Sequence, residues 1–87
     1  MHMGRRYDRI SYSQHALEQF VKRPVVAKAD VELSLNEGVI SKGEGEGLIA
    51  EYPLSDRLAL RIIFFEATPH SAYVVTFYPI SRRRTNV

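Results

Sequence analysis

The chain contains no cysteine, which excludes disulfides and thiolate metal sites and leaves packing as the source of stability. It also lacks any apolar run near the roughly 18 residues that cross a bilayer. Its opening, MHMGRRYDR, has no apolar segment of the kind that forms a signal peptide. No membrane partner and a cytoplasmic location are therefore the expectations. The three histidines, His2, His15 and His70, fall in three separate elements without HxxxH-type spacing, so no metal site is expected, and no cofactor. Net charge is slight, +2.

What remains is an ordinary globular composition. With 45% hydrophobic and 25% charged residues, neither disorder nor a fibrous repeat is indicated. A chain of 87 residues buries roughly 60 to 65% of its unfolded surface and supports one core, so one domain is expected over residues 5–84. Residues 1–4 and 85–87 are expected as frayed ends. The arginines are unevenly placed: Arg5, Arg6 and Arg9 lie at one end and Arg82, Arg83 and Arg84 at the other. If the ends of a small domain meet, these form a patch suited to phosphate; solvated ends that aid solubility are the plainer account.

The first half reads as helical. Ser13 suits an N-cap, and Ala16, Leu17, Phe20 and Val21 form a narrow apolar stripe. Pro24 stops that helix. A second runs from about Ala27 to Glu37, with Val31 and Leu35 one turn apart and Gly38 as the stop. The second half reads as strands. A brief one at Val39 to Ser41 precedes KGEGEG, a mobile turn by composition that lacks the strand-to-helix setting of a dinucleotide fingerprint. GLIAEYPL, RLALRIIFFE and AYVVTFYPI follow in hairpin succession.

Alternation assigns faces. Leu58, Leu60, Ile62 and Phe64 share one, expected to be the core; Arg57, Ala59, Arg61, Ile63 and Phe65 share the other. In the last strand Tyr73, Val75 and Phe77 oppose Val74, Thr76 and Tyr78. Matching the cores requires odd positions opposite even ones, which sets Arg61 beside Thr76 or Tyr78. Large side chains on both faces imply partial cover on the second face too.

Two residues invite chemistry. His15, at a helix start where the dipole disfavours an imidazolium, can serve as a general base, or its ring can simply cover the helix end. Arg61 lies in the most hydrophobic strand and must pair with an acid, reach water or await an anion. Glu51 is its natural partner, and phosphate recognition is compatible with that pairing if the carboxylate positions the guanidinium. Thr76 and Tyr78 add hydroxyls on the same face, although both are also common strand formers. A base, a cation and hydroxyls together can cleave RNA without metal.

The run HALEQFVKR, a second helix ending NEGVI, a glycine-bearing turn, hydrophobic hairpins and VVTFYP resemble a prokaryotic domain-of-unknown-function family. Its pattern is H-A-x-x-R-x-x-x-R early and V-x-T-x-Y in a final strand. That family is similar to the RelE and BrnT toxins of the barnase, colicin and RelE-like ribonuclease group. The resemblance covers roughly Ile10 to Arg83. It implies an α+β domain with two N-terminal helices on a curved antiparallel sheet of about four strands. It further implies a toxin with metal-independent endoribonuclease activity, paired with an acidic antitoxin and acting on RNA, including ribosome-associated mRNA.

The residues and this resemblance together give His15, Arg61, Thr76 and Tyr78 as the expected catalytic set, with Arg23, Arg82, Arg83 and Arg84 expected to bind phosphate. His15, Arg23, Thr76 and Tyr78 match motif positions; Gln19 stands where the pattern has its first arginine, which removes one cation. Two other readings stay open: a non-catalytic RNA- or protein-binding module, and a structural protein whose exposed strand edge pairs with a partner.

Overall fold

The structure is a computed structural model and describes residues 6–81. The outer domain limits, the ends expected to fray, His2, Arg5, and the phosphate-binding candidates Arg82, Arg83 and Arg84 lie outside the described residues. The elements are β1 (Arg9–Tyr12), α1 (Gln14–Lys22), α2 (Lys28–Glu37), β2 (Val39–Lys42), β3 (Leu48–Pro53), β4 (Leu58–Thr68) and β5 (Ser71–Ser81). This is an α+β fold with two helices and one five-stranded mixed sheet, ordered β1-β5-β4-β3-β2.

The sheet has one strand more than expected, and it is not purely antiparallel. β1 lies parallel to β5, pairing Arg9 with Ser71 and Tyr12 with Val74. Its four residues, RISY, are too few for alternation to declare itself, yet Ile10 and Tyr12 both pack against the core. Three antiparallel ladders carry the rest of the sheet.

A bulge resolves the conflict of faces in β5. Ile63 pairs with Thr76, but Phe64 pairs with Val74, so Val75 is one residue in excess. That extra residue turns both Val74 and Phe77 inward, each fully buried, although strict alternation would set them on opposite faces. On the other side of the bulge Arg61 meets Tyr78, as the odd-to-even register required.

Ser13 ties the first helix to this bulge. Its amide donates to Val74 O at 2.9 Å, its hydroxyl donates to Val75 O at 2.6 Å, and the same hydroxyl accepts from Ala16 N–H at 3.0 Å. One side chain thus caps α1 and fixes it on β5. The helix ends ahead of Pro24 at Arg23, and the Arg23 N–H donates to Gln19 O at 2.8 Å. Of the expected stripe only Ala16 and Phe20 turn inward. Phe20 stacks on Phe77 at 4.6 Å and meets Tyr12 edge-on at 5.4 Å. Leu17 and Val21, about 100° further round, are exposed.

The start of the second helix is closed by Asp30 in its first turn, whose carboxylate accepts from Ala27 N–H at 2.9 Å, and Val31 and Leu35 are buried as their spacing implied. Arg6 closes its C-terminus by donating to Leu35 O at 3.1 Å and Gly38 O at 3.2 Å. That arginine, counted above as a phosphate cation, therefore serves a helix end. Gly38 is required for closeness and not for a left-handed turn: a Cβ there would lie 2.5 Å from Ser34 O and 2.6 Å from Glu51 O. The KGEGEG segment forms a closed turn, with Gly43 N–H on Gly47 O and Gly47 N–H on Glu44 O, both at 2.9 Å, and Gly45 takes φ 62°.

Both helices cover one face of the sheet. Val31, Leu35 and Ala16 join Ala50, Leu60, Ile62, Phe64, Val74 and Phe77 in the core, with Tyr7 against Phe64. Among the described residues no helix covers the other face, so the expected second cover comes only from neighbouring strand side chains.

Ser13→Ala removes a cap and leaves the Val75 carbonyl without its donor, so unfolding free energy should fall by about 1 to 2 kcal/mol with an unchanged denaturant slope. Urea denaturation measures it, and a change below about 0.3 kcal/mol would contradict the role given to Ser13.

Two buried phenols predict the alkaline limit. Burial, and then the hydrogen bond to Glu66, raises the Tyr7 phenol above its usual range. Burial likewise pushes Tyr12 up to about 12. The unfolded chain loses these protons near pH 10 while the folded chain keeps them. Stability should therefore fall as pH rises above about 10, by up to about 1.4 kcal/mol per pH unit for each ring. In Tyr7→Phe the fall between pH 10 and 12 should be shallower, as measured by denaturation at each pH.

Candidate functional site

The uncovered face is organised in cross-strand rows. Val39, Glu51, Arg61 and Tyr78 are successive ladder partners across β2, β3, β4 and β5. On one side runs the row Ser41, Ile49, Ile63 and Thr76; on the other runs Pro53, Ala59 and Ile80. The ladders thus build one charged and polar row, Glu51–Arg61–Tyr78, between an apolar row and one with isoleucines at its middle and hydroxyl residues at its ends.

Within that row Arg61 donates from Nε to Glu51 Oε2 at 2.7 Å, and its Nη2 lies 2.6 Å from the same oxygen. The pairing uses one side of the guanidinium fork, and Nη1 takes no part in it. The Tyr78 hydroxyl first, and the Glu51 bond second, hold the arginine further into its charged form. The two side chains are 36% and 38% exposed, so the pair stabilises the fold by at most about 1 kcal/mol. Its larger effect is orientation: a cation held in place on an open surface, with donors left to offer an anion.

The residues expected to act together divide between two places. Arg61, Thr76 and Tyr78 share the uncovered face, with Tyr78 directly opposite Arg61 and Thr76 one row away. His15 and Arg23 belong to α1 and its cap. There they form a row of their own at one-turn intervals, with Gln19 Nε2 3.3 Å from His15 Nε2 and Arg23 Nε donating to Gln19 Oε1 at 3.1 Å. Among the described residues no hydrogen bond or ion pair joins that helix row to Arg61, Thr76 or Tyr78. Gln19, at the position where the resembled pattern has arginine, is what links His15 to Arg23.

The orientation of this amide is fixed by chemistry. Arginine can only donate, so Oε1 must face Arg23 and the Gln19 NH2 must face His15. That contact suits the neutral tautomer in which His15 Nε2 accepts and Nδ1 carries the proton.

A shallow pocket of about 430 Å³ opens at the end of the polar row, lined by Val39, Glu51, Pro53, Ala59, Ile80 and Ser81. Its signal in the sequence was Ala59, the small residue in a strand of bulky ones, which alternation alone did not mark as functional. No group of histidine and acidic residues among those described could hold a metal ion. No described helix is long and apolar enough to cross a membrane. No protein-family model, curated protein or solved structure matches the chain.

The Gln19 arrangement predicts the ring state of His15. Nitrogen-15 spectra of the neutral ring should show a protonated Nδ1 and a bare Nε2, and Gln19→Ala should shift the population toward the other tautomer. Identical ring spectra in the two proteins would contradict the contact.

Proposed function

We propose that this chain is a RelE-like toxin-type domain that meets RNA on the helix-free face of its sheet, with Arg61 engaging a backbone phosphate. The observation that carries the reading is the row Glu51–Arg61–Tyr78, a guanidinium oriented by a carboxylate at the centre of an uncovered surface. Aromatic and apolar neighbours, Tyr78, Ile63 and Tyr73 among them, give bases a surface to lie on, as single-stranded RNA requires. Thr76 and Tyr78 serve as orienting hydroxyls.

Binding is better supported than cleavage. Cleavage through the 2′-hydroxyl needs a proton acceptor beside the phosphate. On this face Glu51 offers that acceptor, whereas His15 stands with Gln19 and Arg23 on α1. An acidic antitoxin would oppose RNA by covering the same cation. A second reading is favoured by the position of β2 at the sheet edge, with Val39 74% exposed: a partner strand adds there.

RNA affinity measured against salt tests the proposal. A short single-stranded RNA should bind the wild type with log affinity falling linearly in log salt. Arg61→Ala should weaken binding about tenfold or more and lower the slope by about one. Induced expression should slow growth, Arg61→Ala should relieve it, and His15→Ala should leave it nearly unchanged. Harmless expression without RNA binding at low salt would overturn the proposal. Growth inhibition indifferent to Arg61 would favour the β2 edge.

A further inference from the structure

We infer that the pocket beside Glu51 is a base slot: it takes one nucleobase bearing an exocyclic amino group, from single-stranded RNA whose phosphate lies on Arg61. This rests on the reading just given and names what that surface selects.

The slot follows from the ladder. Pro53, Ala59 and Ile80 are consecutive cross-strand partners and form its floor, with the short side chain of Ala59 at the centre. Val39 and Glu51, paired with each other, form the adjoining side. Its volume, about 430 Å³, lies within the roughly 300 to 1,000 Å³ of small-molecule sites. Largely apolar walls with Glu51 as the one charged group suit a flat heteroaromatic ring.

Glu51 supplies the selectivity. Both Arg61 contacts fall on its Oε2, so Oε1 stands outside the ion pair on a residue that lines the slot. An acceptor there favours the amino groups of adenine, cytosine or guanine. Uracil instead flanks its only ring donor with two carbonyl oxygens, which a carboxylate repels.

Arg61 is the cross-strand partner of Glu51, about 4.8 Å away, and lies two residues along β4 from Ala59, close enough for the phosphate attached to a base in the slot. Ser81 also lines the slot.

The experiment titrates the full chain with the labelled oligonucleotides rUUAUU, rUUCUU and rUUUUU, and with AMP. The adenine and cytosine strands should bind about tenfold tighter than the uracil strand. Glu51→Gln should bring the three within about twofold, and Ala59→Leu, which fills the floor without altering charge, should do the same. Should the leucine variant fail to fold, Glu51→Gln decides alone.

Equal binding of all three strands, still dependent on salt and Arg61, would overturn the slot and leave the RNA surface standing. No binding of any strand would overturn both. AMP binding as tightly as rUUAUU would overturn the strand as the ligand in favour of a free nucleotide.

Discussion

The extra residue at Val75 is the constraint from which the rest of the structure follows. Without it β5 would present either Val74 or Phe77 to the core, and the other would face solvent. With it both are buried, and the strand beyond the bulge turns Thr76 and Tyr78 outward together. The bulge also determines where α1 begins, because Ser13 uses the carbonyls of Val74 and Val75 as its anchor. One insertion in one strand therefore sets the helix position, the core and the content of the open face.

This separates two kinds of work on two sides of a single sheet. The helix side is closed, apolar and aromatic; Ser34 there donates to Asp30 O and Arg6 holds the end of α2, while the Tyr12 hydroxyl is buried without a hydrogen-bond partner among the described residues. The open side carries the half-exposed ion pair and the pocket. A cation pinned by its neighbour does not have to be ordered when an anion arrives, so less conformational entropy is lost on contact. Rigid strands below supply that order more firmly than a loop would.

Much of this was legible because it was local or periodic. The Ser13 cap, the second helix with Val31 and Leu35 inward, the three long strands, and the Glu51–Arg61 pairing follow from spacing and from the cost of a lone charge among apolar residues. β1 escaped because four residues hold too few alternations, and its partner lies some sixty positions away. The apolar stripe of α1 was read too wide, because adjacent helical residues diverge by about 100° and only half of it can face one strand. His15 and Arg61 were gathered into one site by chemistry alone; which layer each belongs to is a tertiary fact. The pocket was hidden for a related reason, since an alanine announces nothing until its ladder partners are known.

Gly38 links the two sides. Its missing side chain lets the end of α2 sit against the backbone carbonyl of Glu51, the residue that aims Arg61 on the far face. A side chain at position 38 would press on that carbonyl, and so on the strand that carries the carboxylate. Drift at position 38 would be expressed first as misaim of a guanidinium it never touches, which makes that glycine a steric reference mark for the opposite surface.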